Sequence, residues 1–339
     1  MKPVIVVLAY NRPHALSRLL SSIAAAEYPE NVNLVISLEG GASDEVIRAA
    51  YSFDCERLNV EVITRERRLG LRAHVVVCAD LSRDYGSVII LEDDLVVDRY
   101  YYMYAQEALK WYQDDDSISG IALYSYEYNE FSNLPFRAMP NGYDTYPMQI
   151  ACSWGQCWDV SQWDKFRRWY DGKSQADLEA IERLPKAVKN WPESSWKKYF
   201  HAYMVTQKKY FIYPYQSYST NCSDAGGEHI RNGTFHHQVS MATPCRAAPM
   251  FNFSPLKYFE VAYDSFMEPS GDFIWRCLGE NEKDVEIDLQ GAKPIELLRS
   301  KKWAVTRRRF CASERTYDAN FKPPELNLQY PKGYASRPC

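Results

Sequence analysis

Ile89-Ile90-Leu91-Glu92-Asp93-Asp94-Leu95 sets three carboxylates in a row at the end of an apolar run that begins near Ser87. A run of this kind, short and rich in β-branched residues, reads as a buried strand. Three like charges at its open end repel one another, so the pattern asks for a positive partner. A divalent cation bound to a diphosphate is such a partner, and hard oxygen ligands suit Mn²⁺ or Mg²⁺. Side chains alternate along a strand, so Glu92 and Asp94 are expected on one side and Asp93 on the other. One could then reach the metal while another binds a ribose hydroxyl. By itself an acidic triplet is also what a solvated loop looks like, so the reading depends on its surroundings.

Working toward the N-terminus, residues 59–64 (NVEVIT), 32–38 (VNLVISL) and 4–9 (VIVVLA) are three more strands. Between them lie helical stretches. Pro13 opens one with Leu16, Leu19, Leu20 and Ile23 on a stripe. Ser43 caps a second through Tyr51, with Asp44 and Glu45 in its first turn. Gly70 to Ser82 forms a third, and roughly 98–113 a fourth. Alternating strands and helices imply a parallel sheet covered on both faces, with ligands beyond the carboxyl ends of the strands. Tyr10-Asn11-Arg12 follows the first strand, Glu39 the second, and Arg65, Arg67, Arg68 and Arg72 crowd the segment after the third. A ring to stack on and a carboxylate to take base or ribose hydrogen bonds would line a nucleoside pocket. One arginine would meet the phosphates or the base.

The second half is less regular. Residues 118–124 and Tyr210 to Tyr213 read as strands, and Ser161 to Tyr170 as a helix. Pro192 and Glu193 open another helix that runs to about Gln207. Beyond about residue 246 there are Val285 to Leu289 as a strand, a helix near Pro294 to Ser300 and a Pro-rich tail from Lys322.

The composition narrows the classes. At 339 residues, with 46% hydrophobic and 25% charged, the chain is long enough for a packed core. Its 26 Tyr and 9 Trp suit a surface that packs on sugar rings, although a Tyr-rich core would give the same count. The net charge of −4 speaks against a nucleic-acid partner. The 9 Cys follow no zinc or paired spacing and fit reduced thiols in a cytoplasm. No apolar stretch approaches the roughly 20 residues of a membrane span, and the N-terminal apolar run reads as a strand rather than a signal peptide.

The ordered series AYNRP, LVISLEGG, GLR and VIILEDDLVVD resembles the GT-A glycosyltransferases, most closely the bacterial family-2-like sugar transferases of polysaccharide assembly. It is also similar to the N-acetylglucosaminyltransferase that starts complex N-glycans. Ser153-Trp154-Gly155-Gln156-Cys157-Trp158 looks like the SWGWATW-type segment of the bacterial set, and Asp288-Leu289-Gln290-Gly291 resembles its DLYG element. The resemblance implies an α/β GT-A domain over 1–245 with a mainly parallel central sheet, and a C-terminal extension over 246–339 packed on it. It implies Asp94 and His229 at the metal, with His236 and His237 as rivals to the latter. Tyr10, Asn11, Arg12, Glu39, Arg72, Glu92, Asp93, Trp154 and Gly155 would bind the donor.

The implied activity is inverting transfer from a UDP-sugar to a glycan or lipid-linked glycan in surface polysaccharide assembly. It would take place in the cytoplasm, with peripheral attachment to the inner face of a membrane compatible with it. One departure stands out: with Trp196 aligned, the acids of the family's DTWDYQW-like motif fall on Ser194 and Lys197. Glu193, one residue early and expected near the positive end of a helix, and Asp224 are the candidate bases. The rival reading is a non-catalytic glycan- or nucleotide-binding module on a degenerate transferase scaffold. A nucleotidyltransferase is disfavoured, because residues 8–18 lack its glycines.

Overall fold

A computed structural model describes residues 1–226, 232–241, 249–255, 259–309 and 313–334. The first half alternates strands and helices: β1 Val4–Ala9, α1 Pro13–Ala24, β2 Val32–Leu38, α2 Asp44–Tyr51, β3 Leu58–Thr64, α3 Leu71–Ala79, α4 Ser82–Tyr85 and β4 Ser87–Glu92. Then come β5 Leu95–Val97, α5 Tyr101–Tyr112, β6 Ile118–Ala122, β7 Thr145–Met148, β8 Gln156–Asp159 and α6 Val160–Tyr170. After two short helices, α7 Gln175–Glu179 and α8 Lys186–Lys189, follow α9 Trp196–Gln207, β9 Tyr210–Pro214 and β10 Ser219–Asn221. The extension holds β11 Ala262–Tyr263, β12 Pro269–Ser270, α10 Asp272–Leu278, β13 Val285–Asp288, α11 Ile295–Arg299, β14 Trp303–Thr306, β15 Arg315–Tyr317 and β16 Pro331–Tyr334.

Ten strands form one sheet in the order β12-β11-β7-β9-β6-β8-β4-β1-β2-β3. The β4-β1-β2-β3 half is wholly parallel, as expected. Within this sheet five neighbouring pairs are parallel and four antiparallel, the latter being β8 against β4 and β6, β7 against β9, and β11 against β12. Alternation along each strand sends side chains to two separate cores. Ile5, Val7, Ile89 and Leu91 meet α1, α2 and α5 through Leu16, Leu20, Val46 and Tyr104. Val4, Val6, Leu8, Val88 and Ile90 meet α3, α6 and α9 through Val75, Trp163 and Phe200. Each fully buried aliphatic side chain stabilises the fold by about 1.5–3 kcal/mol relative to exposure. The extension has a small core of its own around Ile274, Leu278, Val285, Ile287 and Leu328. It also lends β11 and β12 to the edge of the main sheet.

Three local expectations are corrected. The helix expected from Pro192 begins at Trp196: Ser195 is the cap, its Oγ accepting from Lys198 N at 3.4 Å, and a turn from Pro192 to Ser195 precedes it. Glu193 therefore lies outside the helix, and the helix-dipole argument for it lapses. The helix expected from about residue 98 begins at Tyr101, because the Asp98 carboxylate accepts Tyr100 N and holds a turn there. The strand β5, unexpected from sequence, pairs antiparallel with β10 just past the acidic triplet.

Candidate functional site

Parallel register brings the first group of candidate residues to one edge. Leu8 pairs with Glu92, Ala9 with Leu38, and Leu38 with Thr64. The next residues along these strands, Tyr10, Glu39, Arg65 and Asp93, follow at the same carboxyl end.

The chain leaves the strand after Glu92 and turns at Asp93–Asp94. The expected alternation therefore stops at Glu92, and Asp93 and Asp94 face one partner together. Arg12, placed by the turn before Pro13 at the start of α1, donates to both carboxylate oxygens of Asp93 and, through Nη1, to Asp94 Oδ2 at 3.1 Å. Burial works against the Arg12 charge, but Asp93 and then Asp94 more than offset it and hold the guanidinium above its ordinary value. Burial also pushes the Asp93 carboxyl up to about 6, even against Arg12. Glu92 rises to about 8, through burial first and then repulsion from Asp94 and Asp93. One guanidinium thus pairs with two carboxylates, and the Glu92 carboxyl lies within the field of all three.

The remaining oxygen of Asp94, Oδ1, is buried without a hydrogen-bond partner. A buried, unpartnered carboxylate oxygen among excess negative charge fits a hard divalent cation. Among the described residues no group of three His, Cys, Asp or Glu forms a complete protein cage. A cation here would draw its other oxygens from a bound diphosphate and water, the usual habit of Mg²⁺. His229, expected at the metal, lies outside the described residues. Its rival His237 is described: it packs, tilted by 35°, against Trp154 with centroids 4.8 Å apart and hydrogen-bonds Tyr128 through Nδ1 at 2.7 Å. Burial lowers its basicity, while Glu130 and Asp94 partly counter that.

Glu39 has a different occupation from the one expected. Its two oxygens accept the backbone N–H groups of Gly40, Leu69 and Gly70 at 2.8–2.9 Å. It ties the turn after β2 to the loop after β3. The approach is so close that a Cβ on Gly40 would stand 2.1 Å from the Arg67 carbonyl carbon, so only glycine fits. The tied loop sets Arg68 over the Tyr10 ring at 4.9 Å, a cation–π contact. Asn11 is exposed beside it. Arg72, at the start of α3, lies over Tyr199 at 4.9 Å and 3.9 Å from Glu193. Glu193 itself is 70% exposed.

The β5–β10 ladder brings in the 221–226 segment, with Cys222 N donating to Asp94 O at 2.9 Å. Asp224 is thereby set near the triplet, but Arg18 of α1 grips it bidentately, and that hydrogen bonding holds its carboxyl below the usual range.

Trp154 and Gly155 precede β8. Gly155 adopts φ +93°, where a Cβ would press on Leu123 and Ser219, and the Ser219 hydroxyl donates to Trp154 O at 2.6 Å. Against Trp154 stand Tyr124 at 4.6 Å and Tyr126 at 5.6 Å, with the Lys197 ammonium 5.3 Å from its ring centre. Lys197 is 8% exposed, and its Nζ donates to both oxygens of Glu130, at 2.8 and 3.0 Å, and to Tyr126 Oη at 3.1 Å. Sequence reasoning missed Glu130. The signal that could have found it was Lys197 itself, since a lysine where the resemblance expects an acid needs a counter-carboxylate when buried.

Residues 4–158 match the glycosyl transferase family 2. No curated protein matches the chain. Among solved structures the chain is similar to S. aureus TarS 1-349 in complex with UDP, at 13% identity over 65% of this chain and 60% of that one, TM-score 0.42. It is similar to the same protein in complex with UDP-GlcNAc at 14% identity, covering 68% and 60%, TM-score 0.40. A mannosyltransferase, PcManGT from Pyrobaculum calidifontis in complex with GDP-Man and Mn²⁺, is 14% identical over 54% and 53%, TM-score 0.35. The chain thus spans no more than about three-fifths of these neighbours' lengths.

Proposed function

With residues 4–158 a glycosyl transferase family 2 region, we propose that the chain transfers a sugar from a nucleotide-sugar donor, a UDP-sugar, onto a glycan or lipid-linked glycan acceptor. The observation that carries this reading is the pairing of Asp93 and Asp94 with Arg12, beside Glu92 at the carboxyl ends of parallel strands, where Asp94 Oδ1 is buried and, among the described residues, unpartnered. That edge of an open α/β sheet is where ligands bind.

Tyr10 and Arg68, already stacked on one another, offer a ring and a guanidinium to a uracil and its ribose. Arg12 stands between the triplet and the first turn of α1, close enough to exchange an Asp94 contact for a phosphate oxygen. Asp94 would hold Mn²⁺ or Mg²⁺, whose charge would favour departure of the diphosphate. Glu39 acts here through the loop it ties. Trp154 supplies the aromatic face on which a sugar ring packs. Transfer with inversion at the anomeric carbon follows if the acceptor hydroxyl attacks opposite the leaving diphosphate. An acceptor from surface polysaccharide assembly accords with the sequence resemblance.

A second reading, a nucleotide- or glycan-binding module without turnover, draws on Lys197 standing where an acid was expected. Differential scanning fluorimetry with UDP and GDP, each with Mn²⁺ and with EDTA, tests the donor assignment. Stabilisation by UDP with Mn²⁺ in preference to GDP supports it. Equal stabilisation by the two, or by UDP in EDTA, contradicts it. Release of UDP from UDP-glucose, UDP-galactose, UDP-GlcNAc or UDP-GalNAc separates the two readings.

A further inference from the structure

The 124–136 loop is pinned at several points. Asn129 is fully buried; its Oδ1 accepts Phe131 N and Ser132 N, and its Nδ2 donates to Phe266 O. Phe136 N returns to Glu127 O at 2.9 Å, and Asn129 N to Leu134 O at 2.8 Å. Glu130 therefore sits at the tip of a fixed loop rather than on a wandering one.

Its carboxylate is held by two groups. Oε1 accepts from Lys197 Nζ and from Tyr126 Oη, both at 2.8 Å, and Oε2 accepts from Lys197 Nζ at 3.0 Å. A carboxylate has about four lone-pair positions, so among the described residues Oε2 keeps one open. The side chain is 11% exposed, enough for a hydroxyl to approach. Lys197 is fully engaged, its three N–H groups going to the two carboxylate oxygens and Tyr126. The Trp154 ring lies under the same ammonium, and His237 packs tilted against that ring.

The two carboxylates weighed from sequence lack these properties. Glu193 projects into solvent beside Arg72, and Asp224 is 32% exposed and paired with a part-exposed Arg18, whereas Glu130 is 11% exposed on a pinned loop.

Resting on the transferase reading above, we propose that Glu130 is the general base. Its Oε2 takes the proton of the acceptor hydroxyl as that oxygen forms its bond to the anomeric carbon of the donor. The bond from that carbon to the diphosphate oxygen breaks, its electron pair leaves on the diphosphate, and the proton passes from Glu130 to solvent. Lys197 and Tyr126 are positioning residues that fix the carboxylate. The acid expected on α9 is thus supplied from the 124–136 loop, and a lysine on α9 holds it. Trp154, the ring on which the donor sugar would pack, lies against both Lys197 and His237 and so joins that sugar to the proposed base.

The test uses UDP release from whichever of the four UDP-sugars the wild-type chain turns over, with UDP affinity measured beside it. Glu130→Gln is expected to lower turnover by roughly 10²–10⁴ at unchanged UDP affinity. Because that change strands a buried ammonium, Glu130→Gln/Lys197→Met removes both partners. It should fold as the wild type does and stay as slow as Glu130→Gln. Formate added to Glu130→Ala should restore part of the rate, which a structural role would not allow. Near-normal turnover of Glu130→Gln or of the double variant overturns the assignment, as does failure of formate to rescue. If the wild-type chain binds UDP yet turns over none of the four sugars, the transferase reading fails and the base falls with it.

Discussion

Tyr10, Glu39, Arg65 and Asp93 each stand one residue past a parallel strand, whereas Trp154, Lys197, Glu130 and His237 come together from a pre-strand loop, a helix, a pinned loop and a late segment. The first group is gathered by register alone: once β1, β2, β3 and β4 pair in parallel, their ends must coincide. The second group depends on tertiary contacts between stretches tens of residues apart. The two flanks should accordingly fail in different ways. Damage on the strand-end flank should weaken nucleotide binding, and damage on the other should weaken folding and turnover.

Trp154→Ala should cost the most. Truncating an aromatic that packs against Tyr124, Tyr126 and His237 is expected to lower stability by about 3–5 kcal/mol in urea unfolding, with a correspondingly lower midpoint. Gly40→Ala comes next, because its Cβ would overlap the Arg67 backbone. A loss of ~1–3 kcal/mol is expected. UDP affinity should fall with it, since the displaced loop carries Arg68, and calorimetric titration reads this directly. Tyr10→Ala should leave stability nearly unchanged and weaken UDP about tenfold, a loss of ~1.4 kcal/mol. If Trp154→Ala weakened UDP more than Tyr10→Ala did, the division between the flanks would be wrong.

A smaller effect compares two buried histidines, one per half. Burial lowers His74 to about 4 and His201 to about 3 from an ordinary 6.5. Each is neutral in the native chain but takes a proton in the unfolded one, so the unfolded state binds more protons below 6.5. Stability should therefore fall as pH drops from 6.5 toward 4 for His74 and on toward 3 for His201. At pH 6 each contributes under about 1 kcal/mol. Thermal midpoints of His74→Asn and His201→Leu across pH 7 to 3 should slope less than wild type, with the gap to His201→Leu still widening between pH 4 and 3.

What could be read in the sequence follows the same division. The apolar runs of β1 to β4, the Ser43 cap and the Pro13 start all appear in the fold, because each is a local preference that packing agrees with. Glu193 was misplaced by one turn, because Ser195 competes with Pro192 to start α9 and a capping hydroxyl decides it. Glu39 was legible as a strand-end carboxylate but not as the tie between two loops, since its partners are backbone N–H groups thirty residues on. Arg18 gave no sign of its grip on Asp224, 206 residues away. Glu130 sits in a stretch with no periodicity, and only the folded chain shows it against Lys197.

Asp94 and a divalent cation together are expected to hold a uridine nucleotide at the strand-end flank. Calorimetric titration of UDP into the wild-type chain and into Asp94→Asn, each with Mn²⁺ and with EDTA, measures that directly. The expected result is at least tenfold tighter UDP binding with Mn²⁺ in the wild type and no Mn²⁺ effect in a fully folded Asp94→Asn. Equal UDP affinity with and without Mn²⁺ in the wild type, or an undiminished Mn²⁺ effect in Asp94→Asn, would contradict it.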